Sequence, residues 1–199
     1  IGTGKLTVGA GWDNTGSVKV AEGELCLTSG NVIGTGAVTV AKDARLSGVT
    51  GTTALTNSSF TINGELVVGA FANATSGKIN FGGKNVTISS TGKYVVGKGS
   101  YSNTTIDDVN TLTINGTIEV VFASSYTPKD GDVVTLWTAN KFAGTPNYVL
   151  PNLPLGMAWD MSKISEGKLT IVSDPTAIGV VPFGAKFGHN DIYDLKGQL

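Results

Sequence analysis

Apolar and polar residues alternate along short stretches of this chain, and the stretches come in pairs. In VKVAEGELCL, Val18 and Val20 are followed by a tight turn at Gly23 and then by Leu25 and Leu27. The same figure returns as VTVAKDARL (Val38, Val40, Leu46, with Ala44 where glycine stood) and as FTINGELVV (Phe60, Ile62, Gly64, Leu66, Val68). Two further copies are VTISSTGKYVV (Val86, Ile88, Gly92, Tyr94, Val96) and LTINGTIEV (Leu112, Ile114, Gly116, Ile118, Val120). A period of two marks a strand with one buried face. The first anchors fall at residues 18, 38, 60, 86 and 112, a step of about 20 to 26 residues, which points to a solenoid.

Each copy is too small to bury its apolar face alone. Stacking like over like builds a continuous interior of Val, Ile and Leu, with backbone hydrogen bonds between coils about 4.8 Å apart. Gly and Asn between the strands suit corners that need positive φ or close backbone approach. No capped stretch with a 3.6-residue period predicts a helix. The expected fold is all-β: a right-handed single-stranded parallel β-helix, or β-solenoid, with a C-terminal capping unit. Residues 1–122 are expected to form its coils, 123–173 the last coil and cap, and 174–199 a linker and tail strand. An antiparallel sandwich is the alternative, because Asn63-Gly64 and Asn115-Gly116 are hairpin signals. The recurrence of a whole two-strand unit argues against it.

Composition narrows the function classes. The 199 residues carry 14 Lys+Arg and 15 Asp+Glu, a formal charge of -1, so no basic face for nucleic acid or anionic lipid is expected. Charged residues make up 15% of the chain, against about 25% in an ordinary soluble domain. No apolar run approaches the roughly 20 residues of a spanning helix, so membrane insertion is not expected. Cys26, the single cysteine, allows no intrachain disulfide and fits a secreted bacterial protein. The opening IGTGKLTV has no Met and no signal-type apolar segment, as expected of a mature or internal fragment.

Residues 16–48, GSVKVAEGELCLTSGNVIGTGAVTVAKDARLSG, resemble the autotransporter-associated β-strand repeat of large secreted bacterial passenger proteins. The likeness rests on the V-x-V-x-x-G-x-L-x-L core, the IGTG step from Ile33 to Gly36, then VTV and a terminal L-S-G. Residues 112–173 resemble the closing unit of such extracellular β-helix proteins. There Trp137, Phe142, Leu153 and Trp159 would give the cap its bulk, and Pro151 and Pro154 would block further strand pairing. The tail DIYDLKGQL is similar to the first strand of the C-terminal sorting domain of Bacteroidetes-type secreted proteins, although such a domain has several more strands than the tail supplies. These resemblances imply a secreted or surface-bound bacterial module and no reaction.

Candidate chemistry is sparse. Glycoside hydrolysis needs carboxylates converging on one sugar bond. The adjacent pair Asp107-Asp108 lies in YSNTTIDDVN, expected to be a solvated turn before the Leu112 strand. Arg45, the sole arginine, is read as lacking an acidic cluster at a coil-period offset, which is what a lyase would need. His189 stands alone in the tail, and Asp130, Asp132 and Asp160 lack EF-hand spacing. IGTGKLTVGAG has glycines and a lysine but no following helix to make a phosphate loop. No catalytic residue, metal or cofactor is therefore expected. Sugar rings stack on exposed aromatics, which makes Tyr94, Tyr101 and Tyr126 the carbohydrate-binding candidates. Flat ladders of Thr, Ser and Asn offer further weak hydrogen bonds. N-x-S/T triplets begin at Asn57, Asn73, Asn85, Asn103 and Asn115. The expected partners are glycans, a host or cell-surface protein, or a second copy joined through the chain ends into an oligomer or filament.

Overall fold

The computed structural model describes residues 4–9, 13–29, 33–69, 77–100, 102–174 and 176. Among them the strands are β1 (Lys5–Val8), β2 (Val18–Val20), β3 (Gly23–Leu27), β4 (Val38–Val40), β5 (Ala44–Gly48), β6 (Ser59–Ile62), β7 (Glu65–Val68) and β8 (Gly77–Ile88). They continue with β9 (Lys93–Lys98), β10 (Thr104–Ile114), β11 (Thr117–Phe122), β12 (Val133–Thr135), β13 (Trp137–Ala143), β14 (Asn147–Val149), β15 (Met157–Asp160) and β16 (Lys168–Ser173). A single 3-10 turn, Ile164–Glu166, precedes β16.

The molecule is a β-solenoid. One parallel wall runs in the order β1-β3-β5-β7-β9-β11-β14, and a second in the order β2-β4-β6-β8-β10-β13. Val18 lies in register with Val38, Val38 with Phe60, Phe60 with Val86, and Val86 with Leu112. Parallel stacking excludes the sandwich. Phe142, expected as cap bulk, continues this column opposite Leu112 in a further coil. In the first wall the inward column runs Leu6, Leu25, Leu46, Leu66, Tyr94, Ile118 and Tyr148.

The coils lengthen along the chain, from about 20 residues between Val18 and Val38 to about 30 between Leu112 and Phe142. The added residues form a third wall. The first half of β8 pairs with the first half of β10, setting Ile79 beside Ile106, and Ile106 in turn faces Trp137. Gly82 and Gly83, with φ of 59° and 68°, bend β8 between the walls. In β10 the bend falls at Asp108, whose φ is 53°, at a register shift in the pairing with β8. A wider tube needs larger fillers, and the largest fully buried side chains include Phe60, Phe81, Tyr94 and Trp137. Phe60 meets Phe81 edge-on at 4.7 Å, and Trp137 stacks on Phe142 at 4.6 Å.

Beyond β11 part of the chain leaves the parallel walls. β12, β16 and β15 form a three-stranded antiparallel sheet that packs on the last coil. Val134 and Leu169 join the main core, and the Leu136 N–H donates to the Gly167 carbonyl at 2.7 Å. Trp159 packs against that core and donates its indole N–H to the Pro151 carbonyl at 3.1 Å. The tail strand and His189 lie outside the described residues.

Corner glycines are required for close approach. A Cβ on Gly116 would sit 2.0 Å from the Gly92 carbonyl oxygen of the coil below, whereas one on Gly4 would meet nothing within 4 Å. Gly116→Ala is expected to lower the urea midpoint by about 1–3 kcal/mol of stability, while Gly4→Ala stays within about 0.5 kcal/mol. Equal effects of the two substitutions would contradict the packing described.

Candidate functional site

Stacking in register turns the outward side chains into ladders as well. On the first wall, Lys5 is opposite Glu24, Glu24 opposite Arg45, Arg45 opposite Glu65, and Glu65 opposite Lys93. Lys93 then reaches diagonally to Glu119. The charges alternate along the tube, with Lys5–Glu24 at 2.9 Å, Arg45–Glu24 at 3.6 Å, Arg45–Glu65 at 2.5 Å, Lys93–Glu65 at 2.9 Å and Lys93–Glu119 at 3.2 Å. Arg45 therefore has carboxylates one coil away on both sides, which corrects its reading as a basic residue without coil-period acids. Both of its neighbours are consumed in ion pairs, so the arrangement braces coils instead of presenting a free base.

Partial burial pushes the Glu24 carboxyl up, but the Ser47 hydroxyl, which donates to it at 2.6 Å, and the cations Lys5 and Arg45 outweigh that and hold it below the ordinary range. Glu65 is likewise raised by burial and more strongly lowered by Lys93 and Arg45. Lys93 is raised by its hydrogen bond to Glu65, against a smaller lowering by burial. The pairs of Glu65 with Arg45 and Lys93 contribute about 0–1 kcal/mol each. Their larger effect is on register, because like charges directly opposite destabilise a pairing. Omitting one coil would set Lys5 against Arg45.

The second wall carries an uncharged ladder. Lys19 is followed by Thr39, Thr61, Thr87 and Thr113, each in register with the next. All four threonines are half-buried. In an adjacent row Ser59 faces Asn85, whose side-chain oxygen accepts from the Asn110 amide and the Thr111 N–H.

The third wall holds the acidic pair. Asp107 lies within β10, not in a turn. Burial raises its carboxyl, and the Lys78 ammonium at 2.5 Å together with the Thr138 hydroxyl lowers it further than burial lifts it. Asp108 is exposed, and its N–H donates to Thr138 Oγ1 at 3.1 Å. With Asp107 engaged by Lys78 and Thr138, the pair forms no free acid–base couple.

The tyrosine candidates fare differently from expectation. Tyr94 is fully buried in the inward column, where a sugar has no access to its ring. Its hydroxyl donates to the Leu136 carbonyl at 2.6 Å and accepts from the Ile106 N–H at 3.0 Å, bracing the third wall beside the β10 bulge. Burial pushes its phenol strongly up. Tyr126 is 8% exposed, with Phe122 edge-on at 4.8 Å and the Lys98 ammonium 5.4 Å from its ring centroid. Its phenol is raised by burial and by donating to Asp132 at 2.6 Å. Neither ring is a stacking platform. Tyr101 lies outside the described residues.

Asp132 accepts from Tyr126 and the Lys129 N–H and Asp160 from Ser162, each closing a local turn, while Asp130 accepts from the Ser173 N–H and ties its turn to the end of β16. Among the described residues no group of three or more acids, His or Cys is placed to hold a metal. No described helix is long and apolar enough to cross a membrane. Asn57 is buried, donating to the Gly36 carbonyl at 2.9 Å, so its N-x-S triplet is inaccessible in the folded chain. Cys26 is half-buried on the outer face of the first wall, between Thr7 and Ser47. Comparison with protein-family models, with curated proteins and with solved structures finds no match to this chain.

The depressed Glu24, Glu65 and Asp107 carboxyls contribute stability above the ordinary carboxylate range, and that stability is lost as pH falls through their folded values. Lys93 contributes below its ordinary value of 10.5, and its share is lost as pH rises through its raised one. Urea midpoints are expected to be flat between about pH 6 and 9 and to fall below about pH 4.5, with a shallower acid limb in Glu65→Gln. An unchanged acid limb in that variant would remove the ladder from the account. Tyr94→Phe leaves the Ile106 N–H only its longer bond to the Leu136 carbonyl at 3.4 Å and removes the hydroxyl's own donation, and is expected to cost about 1–2 kcal/mol, read by the same titrations.

Proposed function

We propose that this chain is a non-catalytic structural module of a secreted or cell-surface bacterial protein, adhesin- or stalk-like, that associates end to end through its open coil and tail strand. The observation that carries this reading is the stack itself. Unbroken inward columns and an alternating ion-pair ladder give a stiff rod whose polar groups are largely spent on holding coils together. The quoted likenesses to autotransporter-associated repeats and to the first strand of a sorting domain support placing it outside the cell. They also fit one cysteine in 199 residues.

A second reading, a carbohydrate-binding or polysaccharide-degrading fragment, is favoured by one observation: the threonine ladder of the second wall. In-register hydroxyls about 4.8 Å apart offer a regular array to an extended polymer.

Three measurements test these readings. Incubation with a panel of plant and host polysaccharides is expected to release no new reducing ends or unsaturated sugars, and such release would overturn the structural reading. Light scattering is expected to show growth with protein concentration that weakens when residues 174–199 are deleted. A monomer at high concentration, unaffected by the deletion, would end the self-association component. If glycan binding appears by calorimetry, the double substitution Thr61→Val, Thr87→Val is expected to weaken it about tenfold, roughly 1.4 kcal/mol, on the second reading.

A further inference from the structure

At the β1 end of the tube Leu6 is exposed and Lys5 has a carboxylate on one side alone among the described residues. β1 has β3 on one side and, among the described residues, no strand on the other, and β2 is likewise the last strand of its wall. Leu6 is 53% exposed, although its column partners Leu25, Leu46 and Leu66 are at 4%, 0% and 0%. Lys5 contacts one carboxylate, whereas Arg45 and Lys93 contact two each. Between the two terminal strands lies an open trough of about 760 Å³, lined by Lys5, Leu6, Val18, Val20, Glu22 and Leu25 among others.

We propose that this end is a docking site for one further coil of the same repeat class. The incoming segment adds to β1 as a parallel strand, with a carboxylate in register with Lys5 and aliphatic side chains in register with Leu6 and Val8. That acid–aliphatic–polar–aliphatic pattern is the one Glu24-Leu25-Cys26-Leu27 presents to β1 from the other side. Three features select this occupant. The charge sequence along the wall ends on a cation, so continuing the alternation requires an acid. The exposed Leu6 requires an apolar cover at the same register, and the strand edge requires backbone donors and acceptors. A basic or uniformly polar strand would satisfy the edge alone. The inference rests on the structural-module reading and specifies the chemistry of its open end.

The test uses the full chain and a labelled peptide of its own second coil, residues 16–29, carrying Cys26→Ser. Fluorescence anisotropy is expected to show binding that weakens about tenfold or more when the peptide also carries Glu24→Lys. In the Lys5→Glu chain the preference is expected to reverse, and Leu6→Asp is expected to abolish binding of either peptide. Thermal unfolding of each variant confirms that it is folded, and Lys5→Gln, expected to lose the preference without reversing it, serves if Lys5→Glu is not. Binding indifferent to the peptide's charge, or no binding of the native peptide up to about 1 mM, overturns the proposal. No peptide binding with concentration-dependent association intact removes this docking site alone. Charge-selective peptide binding by a chain that stays monomeric removes end-to-end association alone.

Discussion

A parallel ladder between successive coils places each residue over its equivalent about 4.8 Å away, and this one constraint governs both the inside and the outside of the tube. Inside, it demands that a position apolar in one coil be apolar in the next, because a polar intruder would lie in the middle of a column. Outside, it creates a problem that isolated strands do not have. A charged position repeated in every coil would stack like charges at a separation where their repulsion reaches about 1 kcal/mol per contact even in bulk water. Two solutions coexist here. The first wall alternates sign through Lys5, Glu24, Arg45, Glu65 and Lys93, and the second, after Lys19, stacks uncharged Thr39, Thr61, Thr87 and Thr113.

Widening the tube follows the same logic. Lengthening a coil without filling it would leave voids that cost about 24 cal/mol per Å³. The extra length therefore comes with aromatic fillers, Phe60 against Phe81 and Trp137 against Phe142. The bends between walls interrupt regular pairing, as the register shifts beside Asp108 show. Tyr94 answers both needs at once. Its ring fills the inward column between Leu66 and Ile118, and its hydroxyl engages backbone groups of Ile106 and Leu136 next to the interruption.

The columns were legible in the sequence because period-two alternation survives in every early coil, and the anchors at Val18, Val38, Phe60, Val86 and Leu112 are the residues that stack. The third wall was not, because its inward residues are sparse. Ile79 and Phe81 are followed by two glycines, and Ile106 sits among threonines, asparagine and aspartates. WTANKFA was similarly opaque: Phe142 is in column, but its neighbours Asn140 and Lys141 hide the alternation. The charge ladder and the burial of Tyr94 are different cases. Both followed from aligning the coils position by position, since Glu24, Arg45, Glu65 and Lys93 immediately precede the in-register inward residues Leu25, Leu46, Leu66 and Tyr94. Searching for clusters close in sequence passes over acids and bases that meet only after a full circuit.

The two ends of the stack treat the unpaired edge in opposite ways. At the β13 and β14 end the chain changes polarity, and an antiparallel sheet bearing Val134 and Leu169 packs into the core. A parallel ladder does not run on through a sheet of reversed polarity. At the β1 end polarity is unchanged, and among the described residues no further strand covers Leu6 or gives Lys5 a second carboxylate. Backbone hydrogen bonds at such an edge are blind to sequence, so any extended segment would satisfy them equally. Discrimination among strands must therefore come from the columns. The ladder that keeps coils in order within the chain is, at its last rung, also what tells one incoming strand from another.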